Sequence, residues 1–283
     1  MNIRIAGIVL TLMLCLMGCK LGGDGPRLIV TPQIIARTGM NLSIGDVAGR
    51  ADGIQRLTIY LDEIAAAGYL KEVRMVFDRV WGPFLLPFLP ILRRKGFKLL
   101  AILSSGACPG GQEDGVQLEK DKAWISRFLP EAKDILVGVQ CANEQWGFGG
   151  NFAPNEYAAW HNELTPLIRD LTPGVPIVEG DVDQRPLTHN WWRNVVASGV
   201  RDVDALSLHI TGHDKEHDLL DVMNLVRQKC PEHAGRLWIT EGNAGQMEFL
   251  NGKGFNVERA FPYTWATTET GLARRPGGGI LPG

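Results

Sequence analysis

The sequence predicts an α/β fold, a (β/α)8 TIM barrel with a reduced or missing eighth helix. Three observations predict it. Short apolar runs rich in Val, Ile and Leu alternate with stretches of helical period. Eight such runs can be counted. Two of them end on glutamates at matching positions, Glu144 and Glu241, separated by about three β/α units of roughly 30 residues each. Alternation of this kind means a parallel sheet, and eight units mean a closed barrel. With 283 residues, 45% hydrophobic and 21% charged, the chain can bury one sizeable core, and the length alone fits one barrel or two smaller domains.

Taken in order, Leu28 to Ile35 reads as the first strand, followed by Gly39-Met40-Asn41. Ile54, Leu57, Leu61 and Ile64 recur at helical spacing, and Gly68 ends that helix. The second strand is Glu72 to Phe77, with Arg74 in its middle. An arginine in an apolar strand keeps its charge and needs an acceptor. A proline-rich segment, Pro83 to Pro90, leads into a short helix that Gly96 stops. Phe97 to Leu103 is the third strand, and Ser104 to Gly115 the loop after it. Glu119 to Ala132 is a helix with Ile125, Phe128 and Leu129 inward. The central strand begins at Asp134, runs through Val137-Gly138-Val139-Gln140, and ends at Asn143-Glu144. The loop Gln145 to Phe152 sets Gly147, Gly149 and Gly150 around Trp146 and Phe148, and Pro154 opens the next helix. That helix carries a stripe of Tyr157, Trp160, His161, Leu164, Leu167, Ile168 and Leu171, whose Trp and His are expected to pack.

Val175 to Val178 reads as the fifth strand, and Glu179 to Pro186 as an acidic, solvated loop containing Glu179, Asp181 and Asp183. Asn190 to Ala197 is a short helix. Val203 to Ile210 is the sixth strand, with His209 near its end, and Leu219, Leu220, Met223 and Val226 mark a helix. The Glu241 strand, Gly235 to Asn243, follows, and then Ala260 to Thr264 with Trp265 at its end. Residues 267–283 are too poor in apolar side chains for a full eighth helix.

Residues 1–19 stand outside this fold. Arg4 precedes the apolar run Ile5 to Met17, a secretory-signal pattern too short for an ordinary membrane span. Leu16-Met17-Gly18-Cys19 resembles a bacterial lipobox, with Cys19 as the lipid attachment point. Lys20, where inner-membrane retention is usually signalled by Asp, favours the outer membrane; a plain signal peptide and secretion are the alternative. Residues 20–27 form a tether, and 28–283 the barrel domain. Cys108, Cys141 and Cys230 then remain, at spacings that give neither a disulfide framework nor a zinc motif. A net charge of −2 supplies no basic field for nucleic acid. No glycine-rich phosphate loop or solenoid repeat is present. Eight Trp hint weakly at ligand stacking, since most buried Trp are core.

Asn143-Glu144 after a middle strand, with Glu241 ending a strand three units later, resembles clan A glycoside hydrolases, the cellulase-like retaining glycosidases. The resemblance covers about residues 28–265 in order of elements. It implies Glu144 as acid/base and Glu241 as nucleophile, with no cofactor and no metal. It implies that Asn143 holds the sugar 2-hydroxyl, that Arg74 keeps Glu241 charged and oriented, and that His209 stands near the nucleophile. Trp265 would floor the reacting subsite, and Asn41 belongs to a Gly-x-Asn common in the family; the aromatics of the 145–152 loop, Trp146 among them, offer either a sugar platform or a loop that folds back on itself. The third-strand histidine frequent there is missing, with Ser104 and Ser105 in its stead. The chemistry needs one carboxyl bearing a proton and one charged, about 5–5.5 Å apart; Trp146 beside Glu144 and Arg74 near Glu241 give the two different surroundings. The expected partner is a β-linked oligo- or polysaccharide in an open cleft of a monomer, anchored to a membrane through its N-terminal lipid. Two other readings compete. His209, His213, Asp214, Glu216 and His217 could serve a metal-dependent hydrolase, or the barrel could be a non-catalytic carbohydrate-binding lipoprotein.

Overall fold

The computed structural model describes residues 36–42, 50–103, 116–144, 152–183, 186–210, 216–233, 235–242 and 244–262, with position 33 and two residue pairs at 266–267 and 273–274. Strands and helices alternate: β1 (Met40–Asn41), α1 (Gly53–Ala66), β2 (Glu72–Val76), α2 (Gly82–Leu85) and α3 (Leu89–Lys95), β3 (Lys98–Ile102), α4 (Val116–Ala132), β4 (Leu136–Gln140), α5 (Pro154–Leu171), β5 (Val178–Val182), α6 (Pro186–Ala197), β6 (Ala205–His209), α7 (Glu216–Lys229), β7 (Leu237–Gly242), α8 (Ala244–Gly252) and β8 (Val257–Pro262). This is the expected (β/α)8 architecture. All eight strands run parallel to their neighbours, in two four-stranded halves ordered β1-β2-β3-β4 and β5-β6-β7-β8. The halves meet at two seams. Val139 N–H donates to Pro176 O at 2.8 Å, and Gly39 N–H donates to Ala260 O at 2.9 Å. Neither seam carries a full ladder among the described residues.

Each half has its own apolar layer between strands and helices. One contains Leu57, Val73, Leu99, Phe128, Val139 and Leu164; the other contains Tyr157, Trp192, Leu208, Val222, Ile239 and Leu250. A third, smaller cluster joins strands from both halves through Leu100, Val178, Ala205, Trp238 and Phe261. The polar side chains of Asn41, Arg74, Gln140, Ser207, His209 and Thr240 are also buried. Arg259 ties the start of the barrel across β1 through its ion pair with Glu72, while its guanidinium lies 5.2 Å from the Trp238 ring.

Several boundaries differ from the sequence reading. The strand expected over 28–35 falls almost wholly outside the described residues, and the strand that pairs with β2 is Met40–Asn41. Ile54 is half exposed in the first turn of α1, where Tyr60 completes the buried stripe with Leu57, Leu61 and Ile64. The last strand is Val257–Pro262, a few residues earlier than expected. Gly96 closes α3 in a left-handed conformation, φ 74°, as its position promised. The largest correction concerns Glu179 to Asp183. These residues are not a solvated loop: Glu179 and Asp181 belong to β5, and Glu179, Asp181 and Asp183 are 1%, 3% and 4% exposed. Of the eight Trp, Trp124, Trp191, Trp192 and Trp238 are buried core, as the default reading of that count holds. The tether, the loops 104–115 and 145–151, and most of 263–283 lie outside the described residues. Among the described residues no helix is long and apolar enough to cross a membrane.

Candidate active site

The C-terminal ends of β1, β2, β4, β5, β6 and β7 converge on one cluster. Register sets it up: Asn41 is the partner of Arg74 across β1 and β2, and His209 the partner of Glu241 across β6 and β7. Arg74, 2% exposed, is its hub. Its Nε donates to Gln140 Oε1 at 3.0 Å, and its Nη1 to Asn41 Oδ1 and Glu241 Oε1, each at 3.0 Å. Its Nη2 donates to Asn143 Oδ1 and lies 3.5 Å from His209 Nε2. A buried guanidinium with every edge occupied satisfies the acceptor demand that the sequence posed. Asn41 in turn donates to the carbonyls of Thr240 and Phe261, which ties β1 to β7 and β8.

Glu144 and Glu241 face each other across His209. His209 Nδ1 is 3.0 Å from Glu144 Oε1 and 3.7 Å from Glu241 Oε2. Each of the three residues offers an atom within 4.8 Å of the other two. Both glutamates remain partly open, with side chains 20% and 15% exposed. His209 Nε2 is 3.0 Å from Asp181 Oδ1. Burial alone pushes an imidazole toward its neutral form, but the carboxylates of Asp181 and Glu241 outweigh it and hold His209 up at about 10. With an acceptor on each ring nitrogen, the doubly protonated imidazolium is the species that fits.

Asp181 was missed by sequence reasoning. Burial raises its carboxyl, yet His209 and Arg74 outweigh that and draw it down to about 2. It accepts from Gln140 Nε2 at 2.7 and 2.9 Å, from Ser207 Oγ at 2.6 Å, and from the Glu144 backbone N–H at 2.6 Å. That last bond accompanies a left-handed backbone at Glu144, φ 49°, unusual for a residue with a Cβ. Asp181 therefore holds both His209 and the backbone of Glu144. Gln140, also missed, links Arg74 to Asp181. Only the pairing of β4, β5 and β6 brings these residues together, so no local motif could have marked them.

Of the residues named from sequence, Asn41, Arg74, Asn143, Glu144, His209 and Glu241 meet at this site. Trp146, Trp265 and Cys19 lie outside the described residues, as do His213, Asp214 and the side chains of Glu216 and His217. Two aromatic side chains not anticipated here leave the end of β2. Asp78, buried, accepts from the backbone N–H groups of Val80 and Trp81 at 3.0 and 2.7 Å, and the turn this makes exposes Trp81 by 39% and Phe84 by 58%. Glu144, His209 and Glu241 have the spacing of metal ligands, but the fixed charge of Arg74, 3.0 Å from Glu241, and a protonated His209 both oppose a cation there. The arrangement suits a different chemistry: two carboxyl groups in one mouth, one bound by a guanidinium and one by an imidazolium.

No family model matches this sequence, and no curated protein matches it either. Solved structures do share its shape. The endo-1,4-β-D-mannanase of Thermotoga petrophila aligns over 86% of this chain and 94% of its own, with 12% identity and a TM-score of 0.59. A GH39 β-xylosidase from Caulobacter crescentus aligns over 86% of this chain and 65% of its own, with 15% identity and a TM-score of 0.57. A GH5 xyloglucan-specific endo-β-1,4-glucanase from a metagenomic library aligns over 81% and 88%, with 11% identity and a TM-score of 0.56. At identities of this size the likeness is one of fold, and the fold is the TIM barrel.

Proposed function

We propose that this protein is a retaining glycoside hydrolase acting on a β-linked oligo- or polysaccharide, with Glu241 as nucleophile and Glu144 as acid/base. The observation that carries the reading is a pair of carboxylates, Glu144 in the segment just after β4 and Glu241 on β7, both partly open, with oxygen atoms within 4.8 Å of each other. Retention uses carboxyl groups about 5–5.5 Å apart, whereas inversion needs roughly 6.5–9.5 Å to admit a water. The shared fold of a mannanase, a β-xylosidase and a xyloglucanase supports the same class of substrate.

In this reading Glu241, bound by Arg74, attacks the anomeric carbon while the bond to the leaving oxygen breaks and Glu144 gives that oxygen a proton. Water then attacks the glycosyl ester, Glu144 takes the water's proton, and Glu241 departs as a carboxylate. His209 Nδ1 lies 3.0 Å from Glu144 Oε1 and, as the imidazolium, donates to that oxygen, so the proton given to the leaving group is the one Glu144 carries on its other oxygen. Asn143, whose Oδ1 accepts from Arg74, binds the sugar 2-hydroxyl. Trp81 and Phe84, with Trp146 and Trp265, supply stacking surfaces for sugar rings. We further propose that Cys19 is lipidated and tethers the barrel to the outer membrane as a monomer; labelling by a fatty-acid probe that Cys19→Ser abolishes is the check.

The test of the enzyme is turnover on a panel of β-linked oligosaccharides, with Glu241→Gln run beside the wild type. Wild-type activity that the variant loses, and azide-dependent product formation by Glu241→Gly, are the expected results. Turnover that survives Glu241→Gln overturns the proposal. Glu144→Gln is expected to lower kcat by about 10²–10⁴-fold on substrates with poor leaving groups and far less on activated aryl glycosides.

A further inference from the structure

Behind the barrel mouth lies a second cluster that the mechanism does not use. Cys141, just past β4, Glu179 on β5, and His161 on α5 are 0%, 1% and 0% exposed. The thiol, a ring nitrogen and a carboxylate oxygen all lie within 4.8 Å of one another. His161 is the telling member. Neither of its ring nitrogens has a hydrogen-bond partner among the described residues, and Nε2 stands 3.7 Å from Glu179 Oε1. A fully buried imidazole with both nitrogens unused is costly unless something binds it. Glu179 accepts from the Cys141 N–H at 2.6 Å and from the Tyr157 hydroxyl. A fixed outer donor of this kind orients metal-bound carboxylates.

We propose that Cys141, His161 and Glu179 form a buried binding site for a divalent transition-metal ion of the zinc class. Sulfur, nitrogen and oxygen donors of this set suit zinc at about 2.3, 2.0–2.1 and 2.0–2.2 Å, and three donors within 4.8 Å of one another can converge on one ion. A thiolate and a carboxylate neutralise the two charges of the ion, so the occupied site is uncharged in an apolar layer. The site joins β4, β5 and α5. Gln140 and Asp181, which hold Arg74, His209 and Glu144 on the barrel side, are one and two residues from its ligands. Three protein ligands leave a fourth position on the ion, which sits as a clamp behind the candidate site whichever reaction the barrel performs.

The test uses the full chain, stripped with a chelator and titrated with Co²⁺ as a spectroscopic probe. One equivalent is expected to give a thiolate-to-metal charge-transfer band in the near ultraviolet, which Zn²⁺ bleaches, and Zn²⁺ is expected to raise Tm. Cys141→Ser should remove the band, and His161→Gln should weaken binding by more than the roughly 10–100-fold that loss of an outer partner costs. Far-UV circular dichroism checks that both variants fold. If Cys141→Ser fails to fold, the wild-type titration alone decides. A folded wild type that gives no thiolate band overturns the site, as does a band that persists in Cys141→Ser. Metal uptake lost in Glu241→Gln would put the ion at the barrel mouth and equally overturn it.

Discussion

At the scale of single residues, Arg74 and His209 hold the candidate site together by charge. Arg74 donates to Asn41, Gln140, Asn143 and Glu241 from three different nitrogens. A lysine keeps the charge but is a point donor and cannot span four acceptors. Arg74→Met is expected to destabilise the fold by about 3–5 kcal/mol, since it leaves buried partners uncompensated. Arg74→Lys is expected to recover much of that stability in urea denaturation while kcat stays depressed. His209 gives a pH signature. Its folded value of about 10 lies above the ordinary 6.5, so its contribution to stability is fully present below about 6.5 and is lost as pH rises through 10. Tm of the wild type should therefore fall across the alkaline range, and His209→Gln, lower at neutral pH, should fall less steeply. Arg74, Glu144 and Glu241 stood out as polar residues within or at the end of apolar strands; Asn41, Asn143 and His209 were pointed to by the resemblance in the order of elements. Asp181 was not: Glu-Gly-Asp-Val-Asp has the composition of a solvated turn, and the partners that make its burial tolerable sit on β4 and β6, far away in sequence.

The element that decides the geometry is β5. On a regular strand Glu179 and Asp181 would point the same way. Here the register with β6 shifts between Glu179 and Val182, with Gly180 at φ 120° and Asp181 at φ 48°. This irregularity turns Glu179 toward Tyr157 and His161 on α5, and Asp181 toward Gln140, Ser207 and His209. One glycine thus separates the two carboxylates into two environments. A Cβ at Gly180 would stand 2.6 Å from Leu206 Cδ1, in a backbone conformation that side chains rarely adopt. Gly180→Ala is expected to cost about 1–3 kcal/mol in chemical denaturation, and to lower kcat more than it raises KM because Asp181 loses its hold on Glu144 and His209. A variant with normal kcat would mean that the irregularity serves packing alone. The periodic helices α4 and α5 were easy to place from sequence, since their buried faces repeat over several turns. The ends of β1, β5 and β8 were not, because a two-to-six-residue strand offers too few positions for a period to show.

At the scale of the molecule, the barrel is two half-barrels joined edge to edge. Alternation and count foretold eight parallel strands, but the seams depend on pairing between strands distant in the chain, which no local pattern encodes. Within a half, the central strands are laddered on both sides; at the seams the described pairing is an isolated parallel bridge between Val139 and Ile177, with Val139 N–H donating to Pro176 O, and the bond from Gly39 N–H to Ala260 O. The candidate site nevertheless draws residues from both halves: Asn41, Arg74 and Gln140 from one, Asp181, His209 and Glu241 from the other. Its charge network, Arg74 to Glu241 and Gln140 to Asp181, therefore crosses between the halves and fastens them where the backbone does so sparsely. Opening of such a structure should begin at the seams, since local stability follows the density of buried contacts and backbone bonds. Native-state hydrogen exchange is expected to show the slowest amides in β2, β3, β6 and β7, with faster exchange at Gly39 and Val139. In Arg74→Lys, which weakens the network without removing its charge, exchange at Gly39 and Val139 should accelerate while β6 stays protected. Uniform acceleration in every strand would mean instead that the barrel opens only as one unit, with the charged cluster adding to its global stability and not to the joining of its halves.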